Sequence, residues 1–118
     1  MDRDEMKEMV REVVREVLDQ WQVPVALADK WDGGTIVLKP GDSSLQSKEI
    51  DIESLFHKVV MLRDRLRVLE QKINGHPKLT DADKVEMQQY VTRCYGSLTT
   101  FNVLFKREED RFKGTSKD

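Results

Sequence analysis

A regular apolar stripe in residues 51–74 constrains the fold more than any other part of this sequence. Its members recur at alternating spacings of four and three residues: Leu55, Val59, Leu62, Leu66, Leu69 and Ile73. This spacing places all six along one line of an α-helix. A stripe so narrow is typical of a helix that lies almost parallel to a second helix, as in a coiled coil. The sequence therefore predicts a long helix that needs a helical partner.

A second stripe with the same spacing supplies that partner nearer the C-terminus. Its members are Met87, Val91, Cys94, Leu98, Phe101 and Phe105. A glycine and a proline shortly after Asn74 predict the end of the first helix, and Thr80 begins a capping box for a helix from about residue 81 to 105. Helices joined by so short a loop fold back antiparallel. Residues 51–112 are thus predicted to form a helical hairpin of coiled-coil type, whose twelve stripe residues we call the seam.

The rest of the chain is predicted to add a helix and a small sheet. Residues 1–20 form an amphipathic helix with a basic column on a solvated face. Residues 21–50 are a connector with a short β-hairpin, strand 35–39 pairing with strand 47–52. Its first part, WQVPVALA, either extends across the core or is covered by a partner. Residues 113–118 are a polar, flexible tail. The fold class is mainly α, and the hairpin is expected to form a dimeric helical bundle.

Composition narrows the classes of function. The net charge is −2 and no segment carries a sustained positive field, so nucleic-acid binding is disfavoured. The sole cysteine, Cys94, lies on an apolar stripe and is expected to fill the core. No histidine or cysteine pair has the spacing of a metal site, and no cofactor is expected. Without a signal peptide or a membrane span, the expected location is cytoplasmic.

Two groups of polar residues near the seam are candidate partner surfaces. Arg63 and Arg65 fall at positions beside the seam, where charges govern the choice of partner. Tyr95, Thr99 and Asn102 flank the second stripe, in a region of poor helix formers around Gly96. The second group is explained either by close packing or bending of the helix, or by specific recognition of a partner.

These observations favour a non-enzymatic protein–protein interaction or adaptor module that self-associates through its helical hairpin, as a homodimer. Other protein partners are also expected. The alternative is a small regulatory protein that binds nucleic acid or a nucleotide through the Arg63–Arg67 block and the Gly33-Gly34 turn. An enzyme is disfavoured, because catalysis needs reactive groups that converge in a pocket and a thin hairpin rarely encloses one.

Overall fold

The computed structural model describes residues 2–20 and 24–114, and this part of the chain is mainly helical. Its α-helices are α1 (Arg3–Gln20), α2 (Ile52–Asn74) and α3 (Asp81–Ser97). Two strands, β1 (Thr35–Leu38) and β2 (Lys48–Asp51), form a small antiparallel sheet. Short 3₁₀ helices lie at Asp29–Trp31, Thr99–Leu104 and Glu108–Asp110. The predicted helical chain, with its small sheet and two long helices packed together, is confirmed.

Local interactions account for the start of α1. The backbone N–H of Glu5 donates to Oδ1 of Asp2 at 2.7 Å, which satisfies one free donor of the first turn. Arg11 and Glu8, three residues apart on the exposed surface of the helix, form an ion pair at 2.9 Å. The side chains described for α1, those of residues 2–14, are exposed. Trp21, at the start of the predicted connector, lies outside the described residues.

The sheet leads directly into α2, because β2 ends at Asp51 and α2 begins at Ile52. Ile36 pairs with Ile50 at the centre of the register, and Thr35 pairs with Asp51 at its end. The turn before β1 needs glycine twice. Gly33 has a φ of 72°, in the left-handed region. A Cβ on Gly34 would lie 2.9 Å from Cδ1 of Ile52, so this glycine permits close contact between the turn and the helix.

The core joins the first half of α2 to residues 104–114, which we call the C-terminal segment. Its buried members are Ile52, Phe56, Val59, Leu104, Phe105 and Phe112. Phe105 is 1% exposed, and its ring meets those of Phe56 and Phe112 edge to face, at 5.2 and 5.6 Å between centroids. The connector lies antiparallel to this segment, since the N–H of Ala28 donates to Leu104 at 2.8 Å and that of Lys106 donates to Ala26 at 2.9 Å. The described part of WQVPVALA, residues 24–28, therefore extends across the core.

The third helix is shorter than predicted. It is α-helical only to Ser97 and continues as the 3₁₀ helix Thr99–Leu104, whereas an α-helix to residue 105 was expected. Glycine, serine and threonine around this point have low helix propensity. The hydroxyl of Thr99 donates to the carbonyl of Gly96 at 2.8 Å. This bond supplies a donor to one of the carbonyl groups at the end of the α-helix. The change of helix type redirects the chain so that Phe105 enters the core.

Candidate functional site

Half of the predicted seam lies between the helices or in the core. These six residues, which we call the inner line, are buried or half-buried: Val59, Leu66, Ile73, Val91, Leu98 and Phe105. Val59, Leu66 and Ile73 lie on α2 and Val91 lies on α3, while Leu98 and Phe105 follow the end of α3. The two helices run antiparallel because only a short loop joins them. The inner line holds the hairpin together within a single chain.

The other half of the seam lies along one side of the hairpin. Each of its residues precedes a residue of the inner line by four positions, and we call this set the open face: Leu55, Leu62, Leu69, Met87, Cys94 and Phe101. When two helices are antiparallel, residues that are displaced in the same rotational direction from the line of contact lie on the same side of the pair. The open-face residues of the two helices therefore share one side of the hairpin. Leu62, Leu69 and Met87 are 42%, 45% and 42% exposed. Only the two end members, Leu55 and Phe101, pack against the core.

Residues outside the predicted seam occupy the remaining contact positions of α2, and two of the three are charged. Phe56, Arg63 and Glu70 alternate with the inner-line residues of α2 at the four-three spacing. Across the interface, Nε2 of Gln88 donates to the carbonyl of Glu70 at 3.2 Å, and the hydroxyl of Tyr95 donates to the Glu70 carboxylate. Burial and this hydrogen bond raise the pKa of Tyr95 above its ordinary value of 10.0. A stripe counted from apolar residues alone could not include Arg63 or Glu70.

The true contact line explains the position of Cys94. It was predicted to fill the core, and this prediction is wrong, because the thiol is exposed. The side of α3 that contacts α2 is the side that carries Tyr95, and not the centre of the predicted stripe. Cys94 therefore lies on the open face with Met87.

A second feature of interest is the polar cavity beside the C-terminal segment. Arg63, whose side chain is 9% exposed, donates from Nε to the carbonyl of Asp110 at 2.8 Å and from Nη1 to the carboxylate of Asp64 at 2.8 Å. Next to it is a cavity of about 230 Å³. Its charged lining comes from α2 and from the C-terminal segment: Arg63, Arg67, Glu70, Glu109, Arg111 and Lys113. The short 3₁₀ helix at Glu108–Asp110 thus brings distant charges together.

The structure brings together four of the five residues of the two predicted partner surfaces. Asn102 holds the backbone of Phe112 through two hydrogen bonds, and Thr99 bonds Gly96. Together with Arg63 and Tyr95 they lie near the C-terminal segment, where they bond other parts of the same chain.

Two predicted binding elements lie apart from the cavity. Arg65 is exposed and points away from Arg63, because two residues correspond to about 200° around a helix. The Gly33-Gly34 turn meets the start of α2 at Ile52, about 16 Å along the helix axis from Arg63. The structure therefore does not bring the turn and the arginine block into one site.

The fold and these surfaces define a class: a helical-hairpin protein with an exposed apolar face and a polar cavity beside its C-terminal segment. The chain belongs to a family described as a domain of unknown function (DUF8685), whose model matches residues 21–111. Comparison with curated proteins and with solved structures gave no match. Within the described ranges, no helix combines the length and apolar character needed to cross a bilayer, and no three acidic, histidine or cysteine side chains are grouped to hold a metal ion.

Proposed function

We propose that this protein is a non-enzymatic interaction module, an adaptor, that self-associates as a homodimer through the open face. The observation that carries the proposal is the division of the seam into two sets of six residues. One set is used within the chain. In the other, which follows the same spacing, four members are exposed and only Leu55 and Phe101 pack against the core.

A second copy of the hairpin fits this arrangement. In a four-helix bundle each helix meets two neighbours, so its apolar stripe is divided between two contacts. The inner line provides one contact of each helix. The open face would provide the other when two hairpins meet about a two-fold axis, where the same patch on both copies is self-complementary. The open face contains residues from both helices, as such a bundle requires.

The size of the exposed surface sets the expected affinity. Full burial of a leucine or methionine side chain is worth about 1.5–3 kcal/mol. Leu62, Leu69 and Met87 are each less than half exposed, so about 0.7–1.3 kcal/mol remains for each of them. Three such residues in each of two chains give about 4–8 kcal/mol of favourable burial energy on dimerisation. Contacts at the rim of the interface must offset the translational and rotational freedom that the two subunits lose. We expect dissociation in the micromolar range.

The test is the solution mass by light scattering across micromolar concentrations. The mass of the wild-type protein should rise from the chain mass of 13.8 kDa toward twice that value as the concentration passes through the micromolar range. Leu62→Arg should weaken the dimer by about 10- to 100-fold, because one leucine is lost from each copy. Val68→Arg is the matched control, since Val68 is 48% exposed on the same helix but lies away from the open face. It should leave the mass unchanged.

Cys94 provides an independent measurement, because it lies on the open face and is exposed in the single chain. Dimerisation should slow its alkylation by a maleimide, and the protection should disappear on dilution and in Leu62→Arg. A monodisperse monomer at micromolar concentration would refute self-association. Equal loss of dimer in Leu62→Arg and Val68→Arg would show that another surface is used.

A further inference from the structure

We propose that the polar cavity beside Arg63 binds a phosphate group. The cavity is lined by four cationic and two anionic side chains, an excess of two positive charges. Near pH 7 a phosphate monoester carries a charge of about −1.5 to −2 and three strong acceptor oxygens. The proposal does not depend on self-association, because none of the residues that line the cavity belongs to the open face.

Arg63 is the fixed element of this site. A guanidinium group has five N–H donors, and among the described residues Arg63 uses Nε and Nη1 for the carbonyl of Asp110 and the carboxylate of Asp64. Its Nη2 lies 3.8 Å from Oδ1 of Asp110, which is too long for a hydrogen bond. Arg63 lines the cavity, and its Nη2 has no hydrogen-bond partner among the described residues. Its two N–H groups are held in place and free to donate.

The other cations are available to a ligand. Arg67, Arg111 and Lys113 are exposed and form no ion pair within 4.0 Å with any described residue. Arg67 lies one turn after Arg63 on the same helix, while Arg111 and Lys113 come from the C-terminal segment. Cations from two elements can therefore contact different oxygens of one phosphate group.

The anionic side chains near the cavity weaken its attraction for an anion, but they do not occupy the position of the phosphate group. The Glu70 carboxylate accepts the hydroxyl of Tyr95. Outside the cavity lining, the carboxylate of Asp64 bonds Arg63, and that of Asp110 lies 3.8 Å from Nη2 of Arg63. Glu109 is the exposed carboxylate of the lining, and it opposes an anionic ligand. At about 230 Å³ the cavity is smaller than the 300–1,000 Å³ typical of sites for drug-sized ligands. It fits a phosphate group, with the remainder of any larger molecule outside.

The experiment titrates the intact chain with inorganic phosphate or a nucleoside monophosphate and compares each with chloride at equal ionic strength. Binding is followed by amide NMR shifts and by the melting temperature. We expect saturable shifts confined to the residues around Arg63, Tyr95 and the C-terminal segment, and a higher melting temperature. Tighter binding of the monophosphate would identify an organic phosphate as the source, and equal binding would identify the free ion.

Charge variants make the test specific. Arg67→Gln and Arg111→Gln should each weaken binding about tenfold or more, since a hydrogen bond to a charged group is worth about 1.5–3 kcal/mol. Glu109→Gln should tighten it, and Arg65→Gln, which alters the same helix away from the cavity, should have no effect. The proposal is overturned if chloride and phosphate act alike or if Arg65→Gln loses as much binding as Arg67→Gln. Tighter binding of single-stranded nucleic acid with shifts spread over the surface would also overturn it.

Discussion

Replacing Asn102 tests how the C-terminal segment is held. Its Nδ2 donates to the carbonyl of Phe112 at 3.0 Å, and its Oδ1 accepts the N–H of Phe112 at 2.7 Å. This amide thus satisfies both backbone groups of one residue. The side chain of Phe112 is 4% exposed and packs against Phe105, so these bonds fix a core residue ten positions away in sequence.

The expected cost of Asn102→Ala follows from those two bonds. Each intramolecular hydrogen bond contributes about 0.5–1.5 kcal/mol net, and an unsatisfied buried partner costs about 1–3 kcal/mol. Both backbone groups of Phe112 would lose their partner at a partly buried site. We therefore expect the free energy of unfolding to fall by about 2–3 kcal/mol.

Urea unfolding followed by circular dichroism measures this change. The denaturation midpoint should fall while the slope stays constant, because the surface exposed on unfolding is similar. Asn74→Ala is the matched control. This exposed amide accepts one hydrogen bond, from Gln88 at 3.0 Å, and its loss should cost less than about 1 kcal/mol. If Asn102→Ala lies within about 0.5 kcal/mol of wild type, the bonds to Phe112 do not hold the segment, and a role for Asn102 on a partner surface becomes the better explanation.

Two further predictions concern α3. Thr80 accepts the N–H of Asp83 at 3.1 Å within a capping box, so Thr80→Ala should lower the free energy of unfolding by about 1 kcal/mol, whereas Thr80→Ser should retain most of it; equal losses in chemical denaturation would contradict the cap. Tyr95 has a raised pKa, caused first by burial and then by its hydrogen bond to Glu70, so the folded state keeps the phenol proton at a pH where the unfolded state releases it. The contribution of Tyr95 to the free energy of unfolding should therefore be constant below about pH 9 and fall as the pH rises through 10. Tyr95→Phe should abolish that fall, and an identical pH profile in both proteins would assign it to other groups.

Several elements could be predicted because their signals are local. The end of α2 at Asn74 and the cap at Thr80 depend on residues within one turn of the boundary. The two strands follow from short β-branched or alternating runs between turn residues, and the structure pairs Ile36 with Ile50 as such a hairpin requires. The heptad spacing of both stripes was enough to place two long helices side by side.

The contact line between those helices could not be obtained in this way. The spacing of apolar residues defines a stripe about two residues wide on each helix. It cannot show which edge of that stripe faces the other helix when polar residues also take part in the contact. Here Glu70 and Tyr95 satisfy each other inside the interface, so burial of polar groups costs little. As a result Val59 is buried, while Leu62 and Cys94 are exposed.

The end of α3 and the polar cavity were likewise decided by tertiary structure. The aromatic core takes in Phe105 and Phe112 only if the chain leaves the α-helix after Ser97. That path brings Asp110 to Arg63, 47 positions earlier in sequence. By itself, the sequence determined the helices, the strands and the spacing of the apolar residues, because these depend on neighbouring residues. Which side of the hairpin stays open, and which charges meet around the cavity, depended on contacts between distant residues that no local pattern records.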